Sequence, residues 1–373
     1  MTIGILKEPE FENRVALLPD NVKILLELKT LVIIEKDAGE RSFYSDEKYK
    51  EVGAQVVERD KILDDSDLLI SINTLSRDEY TKLTKKQSVL TAYSPLTNKE
   101  LLKQFIDLGI TSFSMDMVPR ITRAQSMDIL SSMATIAGYK AVLEAASHLP
   151  SFFPMFMTAA GTIRPSKVLV LGAGVAGLQA IATARKLGAV VEAFDVRTAV
   201  KEQVESLGGR FIEVEGAKDE ATAGGYAVEQ TEEYKQKQQQ LIQDHAKKAN
   251  VVITTAQIPG RKAPVLITKD TVENMIPGSV IVDLAASSGG NCELTKNDEN
   301  IEVHKIKIIG NSNFPSEMPS DASKMFGNNL INFMKLIIDE EGNLKLDFED
   351  EIVKGTCITH NKEIISERVK SNQ

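Results

Sequence analysis

One short segment limits the possible fold more than any other: a β-branched run, Lys167–Leu171, leads into a glycine-rich turn, and a helical pattern follows. The first glycine permits a tight turn, the second lets a backbone approach a pyrophosphate, and the third lets helix and strand pack closely. This strand-turn-helix context predicts a Rossmann-type dinucleotide site, although a turn that only packs a helix gives the same pattern. The turn consists of Gly172, Ala173, Gly174, Val175, Ala176 and Gly177.

An acid at the end of the next strand indicates which dinucleotide is bound. The run Val190–Phe194 is followed directly by Asp195, which is about as far from the turn in sequence as a ribose-binding acid should be. Val196 and Arg197 come next. A carboxylate accepts both ribose hydroxyls but repels a 2′-phosphate by about 4 kcal/mol at about 4 Å, for an effective dielectric of about 20. We therefore expect NAD(H) over NADP(H). Arg197 is a feature that NADP sites use, and a solvated surface charge explains it equally well.

Short β-branched runs alternate with longer helical patterns, which is typical of parallel sheets covered by helices. The segment 129–147, rich in Ala, Ser and Met, is predicted to be a buried helix that joins two domains. The predicted fold class is α/β, with two doubly wound Rossmann-like domains built on parallel sheets. The first set of runs is Ile3–Leu6, Leu31–Glu35, Gln55–Glu58, Leu68–Ile72, Ser88–Thr91 and Thr111–Met115. The second set is Lys167–Leu171, Val190–Phe194, Arg210–Val214, Val251–Thr254, Ser279–Leu284 and Ile306–Ile309.

The length of 373 residues also favours two domains of about 150 residues each. After the second set, 322–338 has helical spacing, and the remaining tail is too short for a domain of its own. We therefore predict an N-terminal α/β domain of residues 1–128 that is completed by the C-terminal segment 312–373, and an NAD-binding Rossmann domain of residues 129–311.

Charge and composition exclude several classes of partner. The formal net charge is −9 and no basic cluster occurs, which argues against nucleic acid or an anionic membrane surface. No apolar run reaches the roughly 18 to 20 residues that span a bilayer. Cys292 and Cys357 lack CxxC spacing and are predicted to be reduced structural thiols. We expect a cytoplasmic or peripheral protein without a metal site.

A glycine-containing segment, Glu215 to Tyr226, precedes a Gln- and charge-rich helix, Tyr234 to Lys248. Glycines in a charged surface setting are typical of a mobile loop. We predict that residues 215–230 form a lid.

Four segments carry a resemblance to a known family. They are Arg120–Ser132, the glycine turn, Thr254–Pro264 and Val282–Asn291. Together they resemble the NAD(H)-binding component, domain I, of proton-translocating nicotinamide nucleotide transhydrogenase. Alanine dehydrogenase is related and shares the opening Lys7-Glu8-Pro9 and Asn13-Arg14-Val15-Ala16.

The resemblance implies a function. A chain of this kind presents NADH for direct hydride transfer to NADP on a separate NADP(H)-binding subunit, and a membrane proton-channel subunit couples transfer to proton movement. It implies a cytoplasmic homodimer, peripheral to the inner membrane through its partners. The sequence ends at Gln373, which is compatible either with an enzyme split among several chains or with a piece of a longer chain.

The resemblance also implies which residues contact the cofactor. Gln125 and Asp128 are expected to position the nicotinamide without an acid/base role, and Asp128 and Ser131 to hold its carboxamide. An N-cap and helix-surface cluster is the alternative role of these residues. The implied cofactor-binding set includes Arg120, Ile121, Thr122, Gln125, Ser126, Met127, Asp128 and Ser131. It continues with Gly225 and Tyr226 of the lid, Gln238, Ala256 and Gln257.

Two other functions remain open. An amino-acid dehydrogenase moves protons and needs acid/base side chains near the nicotinamide. The stretches where alanine dehydrogenase carries a lysine, a histidine and an aspartate read here Ser71-Ile72-Asn73, Tyr93-Ser94-Pro95 and Ser287-Ser288-Gly289-Gly290. The absence of that lysine, histidine and aspartate favours a transhydrogenase component over an amino-acid dehydrogenase. A catalytically silent NAD-sensing module is the third possibility.

Overall fold

The computed structural model describes residues 1–213, 232–257 and 260–372. The chain divides into two compact units, the first formed by Met1–Met133 with Pro315–Gln373 and the second by Ala134–Phe314. The divisions predicted from the sequence fall a few residues earlier, after 128 and after 311. The predicted lid, 215–230, lies outside the described residues.

The first unit begins with six strands connected by helices, as the alternating pattern predicts. The strands are β1 (Thr2–Ile5), β2 (Leu31–Glu35), β3 (Gln55–Val57), β4 (Leu68–Ile70), β5 (Ser88–Thr91) and β6 (Thr111–Ser114). The helices are α1 (Pro19–Glu27), α2 (Asp46–Glu51), α3 (Arg59–Asp65), α4 (Arg77–Lys82) and α5 (Lys99–Leu108). These six strands are mutually parallel, in the order β6-β5-β4-β1-β2-β3.

A long helix, α6 (Ile129–His148), contains the division between the units and begins the second one. The further strands are β7 (Phe156–Thr158), β8 (Gly161–Ile163), β9 (Lys167–Leu171), β10 (Val190–Phe194), β11 (Arg210–Phe211), β12 (Val251–Thr254), β13 (Val280–Asp283), β14 (Asn300–Val303) and β15 (Ile306–Ile309). The helices are α7 (Val175–Lys186), α8 (Lys201–Ser206), α9 (Glu232–Ala246) and α10 (Lys269–Glu273). The main sheet has the order β11-β10-β9-β12-β13-β15-β14, and β7 pairs with β8 separately.

The C-terminal segment returns to the first unit. It contains α11 (Pro319–Ile337), α12 (Glu351–Thr356), β16 (Cys357–His360), β17 (Glu363–Ile364) and α13 (Glu367–Lys370). β16 lies antiparallel beside β6, and β17 lies antiparallel beside β16.

Alternate residues of each central strand enter two different cores, which is why the strands read as continuous apolar runs. In β9, Val168 and Val170 pack into a cluster with α7, whereas Leu169 and Leu171 pack into a cluster with α9. The first unit has the same arrangement, with Leu68 and Leu69 of β4 in different clusters. Helices therefore cover both faces of each sheet, which confirms the predicted α/β doubly wound class.

Three of the differences from the sequence prediction concern β11, β14 and α6. β11 ends at Phe211 instead of Val214, and β14 is antiparallel to β15. The helix predicted to be buried, α6, is only partly covered, with Leu130 45% and Tyr139 37% exposed. In the part of the chain that the structure describes, no helix is long and apolar enough to span a bilayer.

Candidate functional site

The glycine turn joins β9 to α7 at the carboxyl edge of the second unit's sheet. Gly172 has a φ of +101°, which favours glycine, and its N–H donates to Phe194 O at 2.8 Å. A Cβ on Gly177 would lie 1.8 Å from Gly172 O, so helix and strand meet with no room for a side chain. A Cβ on Gly174 would meet no atom within 4 Å. The open backbone at the N-terminus of α7 fits a pyrophosphate, which the turn's spacing predicts.

β9 and β12 are adjacent at the centre of this sheet, and the strand order reverses between them. Ligands of open α/β sheets bind outside the carboxyl ends of the strands at such a switch point. The turn after β9, Asp195 after β10 and Thr255 after β12 all follow carboxyl ends at this place. The Thr255 hydroxyl donates to Gly172 O at 3.0 Å, so the loop after β12 supports the turn.

Asp195 is hydrogen-bonded to the turn and to its own neighbour. Its Oδ2 accepts from the backbone N–H of Ala173 at 2.7 Å. Arg197 donates from Nε to Oδ1 at 2.9 Å and from Nη2 to Oδ2 at 3.0 Å. The carboxylate raises the pKa of Arg197 above its ordinary value. Arg197 is therefore an ion-pair partner of Asp195, which overturns the interpretation of Arg197 as a solvated surface charge.

A buried polar network supports the loop after β12, and sequence reasoning did not identify it. Asp283, fully buried at the end of β13, accepts from the backbone N–H groups of Asn291 and Cys292 at 2.8 and 3.0 Å. The Asn291 amide in turn accepts from Ala256 N at 2.9 Å and donates to Ala256 O at 2.9 Å. Gln257 donates from Nε2 to Leu284 O at 2.8 Å. Ala256 and Gln257 are therefore each hydrogen-bonded to the loop after β13; their predicted contact with a cofactor stays a prediction.

In the first unit, the segment predicted to position a nicotinamide ends in a helix cap. Asp128 accepts from the Ser131 N–H at 2.9 Å and from the Ser131 hydroxyl at 2.6 Å, at the start of α6. The N-cap geometry, given above as the alternative role, is thus present. Arg120, Thr122, Gln125 and Ser126 are exposed, Ile121 is half-buried and Met127 is buried.

The return helix α11 fixes this segment. The side-chain amides of Asn329 and Asn332 both donate to Ser126 O, at 2.8 and 3.1 Å. Two donors on one carbonyl hold the turn that carries Gln125 against α11. This function of the C-terminal segment needs long-range contacts that sequence patterns do not show.

Glu8 is a titratable group beside Ser71-Ile72-Asn73 that sequence reasoning missed. The residue is 4% exposed, and its carboxyl accepts from Ile72 N, Asn73 N and Asn73 Nδ2 at 2.6, 3.0 and 3.0 Å. Burial raises the pKa of Glu8 above its ordinary value. Glu8 lines a cavity of about 320 Å³ together with Arg59 and Glu35. The shared Lys7-Glu8-Pro9 opening was the available signal.

Elsewhere among the described residues, the histidines and cysteines named here do not come together in a site. His245 lies 2.7 Å from Glu192 and His304 lies 3.3 Å from Glu273, so both face carboxylates instead of a catalytic group. Cys292 and Cys357 are free and buried, and burial raises their pKa values to about 11 and about 12. Among the described residues, no group of three or more His, Cys, Asp or Glu side chains could hold a metal ion.

Two predicted contacts, Gly225 and Tyr226, lie outside the described residues. Gln238 lies half-buried on α9. Arg261 and Lys262, which follow β12 in the chain, are exposed.

An acid tied to a glycine turn at the switch point of a doubly wound sheet defines a Rossmann-type nucleotide-binding protein. Comparison with known proteins narrows the class. The alanine dehydrogenase/PNT N-terminal domain family matches residues 4–137 and the alanine dehydrogenase/PNT C-terminal domain family matches residues 141–367.

Individual relatives agree with the family match. The chain is 45% identical over 375 residues to the first part of the NAD(P) transhydrogenase subunit alpha of Rhodospirillum rubrum, covering 98% of each chain. It is 43% identical to the NAD(P) transhydrogenase subunit alpha of Haemophilus influenzae, covering 98% of this chain and 72% of that one. The crystal structure of a transhydrogenase from Sinorhizobium meliloti matches with a TM-score of 0.89 and 41% identity, over 98% of this chain and 100% of that one. The chain therefore belongs to the alanine dehydrogenase/PNT family, with the transhydrogenase components, which confirms the resemblance found in the sequence.

Proposed function

We propose that this chain is the NAD(H)-binding subunit of a proton-translocating transhydrogenase and presents NADH for direct hydride transfer to NADP on a partner subunit. The observation that carries the proposal is the bond from the Ala173 N–H to Asp195 Oδ2, which ties the acid to the glycine turn. This bond supports one continuous site for a pyrophosphate and an adenosine ribose.

The cofactor is proposed to be NAD(H). Gly174 leaves backbone open to the pyrophosphate, and the carboxylate of Asp195, beside the turn, is the group proposed to accept from the ribose hydroxyls. A 2′-phosphate next to this carboxylate is opposed by like charge. Replacing Asp195 with Asn is expected to narrow the preference for NADH over NADPH, with some loss of NADH affinity.

Bound NADH supplies a hydride, and this chain's residues bind and orient it. From the resemblance, Gln125, Asp128 and Ser131 position the nicotinamide, with Arg120 near its ribose. The Asp128 carboxylate can serve here because each oxygen has a second lone pair beyond the bonds from Ser131. The cap fixes the carboxylate and so pre-organises it.

Hydride transfer between two nicotinamides needs no deprotonation of a substrate. The stretches 71–73, 93–95 and 287–290 contain no lysine, histidine or aspartate, which supports this chemistry over amino-acid oxidation. We propose that an NADP(H)-binding subunit and a membrane proton-channel subunit are the partners. We further propose a homodimer in the cytoplasm, peripheral to the inner membrane.

Partner-dependent transfer tests the proposal. NADH stereospecifically deuterated at C4 is mixed with this chain and NADP, with and without an NADP(H)-binding subunit of a related transhydrogenase. Label in NADPH, formed only when both proteins are present, is the expected result. Loss of the label to solvent, or equal transfer without the partner subunit, would reject direct transfer.

A further inference from the structure

All four lone-pair positions of the Asp195 carboxylate have hydrogen-bond donors. Oδ1 accepts from the backbone N–H and the Nε of Arg197, both at 2.9 Å. Oδ2 accepts from Ala173 N at 2.7 Å and from Arg197 Nη2 at 3.0 Å. A carboxylate offers about four such positions, and a bidentate guanidinium fills two of them.

Only the side-chain donors can leave. The two backbone N–H groups belong to the glycine turn and to the loop after β10, which the fold holds in place. The Arg197 side chain is 32% exposed, so its fork can swing into solvent. The two positions that it releases equal in number the two hydroxyls of an adenosine ribose.

We propose that Arg197 is a specificity-determining residue: its guanidinium occupies the ribose positions on Asp195, and a dinucleotide must displace it. The inference rests on the proposed function, namely NAD(H) binding by this unit. NADH gains the Asp195 hydrogen bonds only after the ion pair breaks, so Arg197 lowers NADH affinity.

The displaced guanidinium also changes discrimination. Once it has left Asp195 it remains tethered beside the ribose, where it can bind the 2′-phosphate of NADP(H) bidentately. Arg197 therefore weakens the rejection of NADP(H) that Asp195 alone would impose. Asp195 and Arg197 therefore have opposite effects on the preference for NADH over NADPH.

The test uses the 373-residue chain with Arg197→Ala, Arg197→Lys and the control Arg210→Ala. Arg210 is an exposed arginine of the same sheet, 3.4 Å from Glu192, and does not contact Asp195. Calorimetric titration gives the Kd of NADH and of NADPH for each protein, and thermal unfolding shows that each is folded. Arg197→Lys keeps the charge but loses the two-pronged fork.

Arg197→Ala is expected to bind NADH about fivefold more tightly, as for loss of a partly exposed ion pair, and to bind NADPH more weakly than the wild type. Arg197→Lys should also bind NADH more tightly while retaining part of the NADPH affinity. Arg210→Ala should match the wild type. Unchanged or weaker NADH binding by Arg197→Ala overturns the inference while leaving the proposed function intact. Absence of NADH binding by the wild type overturns the proposed function itself.

Discussion

Asn291 Oδ1 accepts a hydrogen bond of 2.9 Å from the backbone N–H of Ala256, and so joins the loop after β13 to the loop after β12. The same side chain donates to Ala256 O at 2.9 Å and to Pro264 O at 2.8 Å. Thr255, next to Ala256, bonds the glycine turn. Asn291 thereby connects the buried Asp283 network to the loop that supports the glycine turn.

Asn291→Ala is expected to lower the free energy of unfolding by about 3 kcal/mol, because it removes three hydrogen bonds to partly buried backbone groups of Ala256 and Pro264. NADH affinity should fall in the same variant, since the loop that supports the turn loosens. Chemical denaturation and NADH titration measure the two effects. Asn274→Ala, on an exposed amide that bonds Asp270 O, is the control. Wild-type affinity in a destabilised Asn291→Ala protein would show that the network serves folding only.

Substitutions at Gly174 and Gly177 are expected to separate nucleotide binding from folding within one turn. Gly174→Ala places a methyl group in open space, so the free energy of unfolding should change by less than about 1 kcal/mol, while NADH affinity falls because the methyl group obstructs the pyrophosphate. Gly177→Ala drives a methyl group into Gly172 O and should cost about 3 kcal/mol or more. Denaturation curves and NADH titrations of both variants provide the comparison. Undiminished NADH binding by Gly174→Ala would contradict the placement of the pyrophosphate.

The strands that bear the site were predictable because they are buried on both faces. Lys167–Leu171, Val190–Phe194 and Val251–Thr254 have the same bounds in the sequence prediction and in the structure. A continuous apolar run has few alternatives, and glycine spacing fixes the turn after it. β14 and β16 were not predicted, since β14 is mixed in polarity and β16 lies in a segment interpreted only as a tail.

Side-chain pairings were harder to predict. The sequence shows that Arg197 follows Asp195 by two residues, but either a solvated or a paired arginine is compatible with that spacing. The contact of Glu8 with Asn73 depends on β1 and β4 being neighbours in the sheet, although their residues are far apart in sequence. Such contacts follow from topology, which local patterns do not contain.

Stability should depend on pH through Asp350. This residue caps α12 by accepting from Ile352 N at 2.8 Å, and the Arg123 guanidinium holds its pKa below the ordinary value. A pKa that is lower in the folded state stabilises the protein above the unfolded value of about 3.9, and this contribution is lost as pH falls through the folded pKa. Asp350→Ala should lower the free energy of unfolding by about 1 kcal/mol near pH 7, and this difference between the wild type and the variant should shrink below about pH 4.

Urea denaturation at several pH values measures the difference in free energy of unfolding between the wild type and Asp350→Ala. Asp350→Asn retains a capping oxygen without the charge, so it should lie between the wild type and Asp350→Ala at pH 7. A difference independent of pH would show that the cap acts without the carboxylate charge.

The chain alone is not expected to oxidise alanine. Glu8 is a carboxyl close to the stretch where an amino-acid dehydrogenase carries a base, but three N–H donors already engage it. Production of NADH from NAD and alanine is the measurement, with an alanine dehydrogenase as positive control. Turnover of alanine at ordinary enzyme rates would reject the transhydrogenase proposal. If that turnover were then lost in Glu8→Gln, Glu8 would be identified as the proton-transferring group.

Gln125→Asn tests whether the segment before α6 aligns a nicotinamide. Gln125 is exposed on a turn that α11 holds through Ser126 O, so shortening its side chain by one methylene changes its reach without disturbing buried contacts. Direct transfer requires the two rings within about 3 to 3.5 Å, and small errors of alignment reduce the rate steeply. The partner-dependent transfer rate should therefore fall at least about tenfold, while the Kd for NADH changes little. Gln104→Asn, on a side chain of α5 that bonds Arg77 O, is the matched control and should transfer at the wild-type rate. Single-turnover transfer and NADH titration are measured on the same preparations. Equal losses of rate and affinity would assign Gln125 to binding alone, and an unchanged rate would remove it from the site.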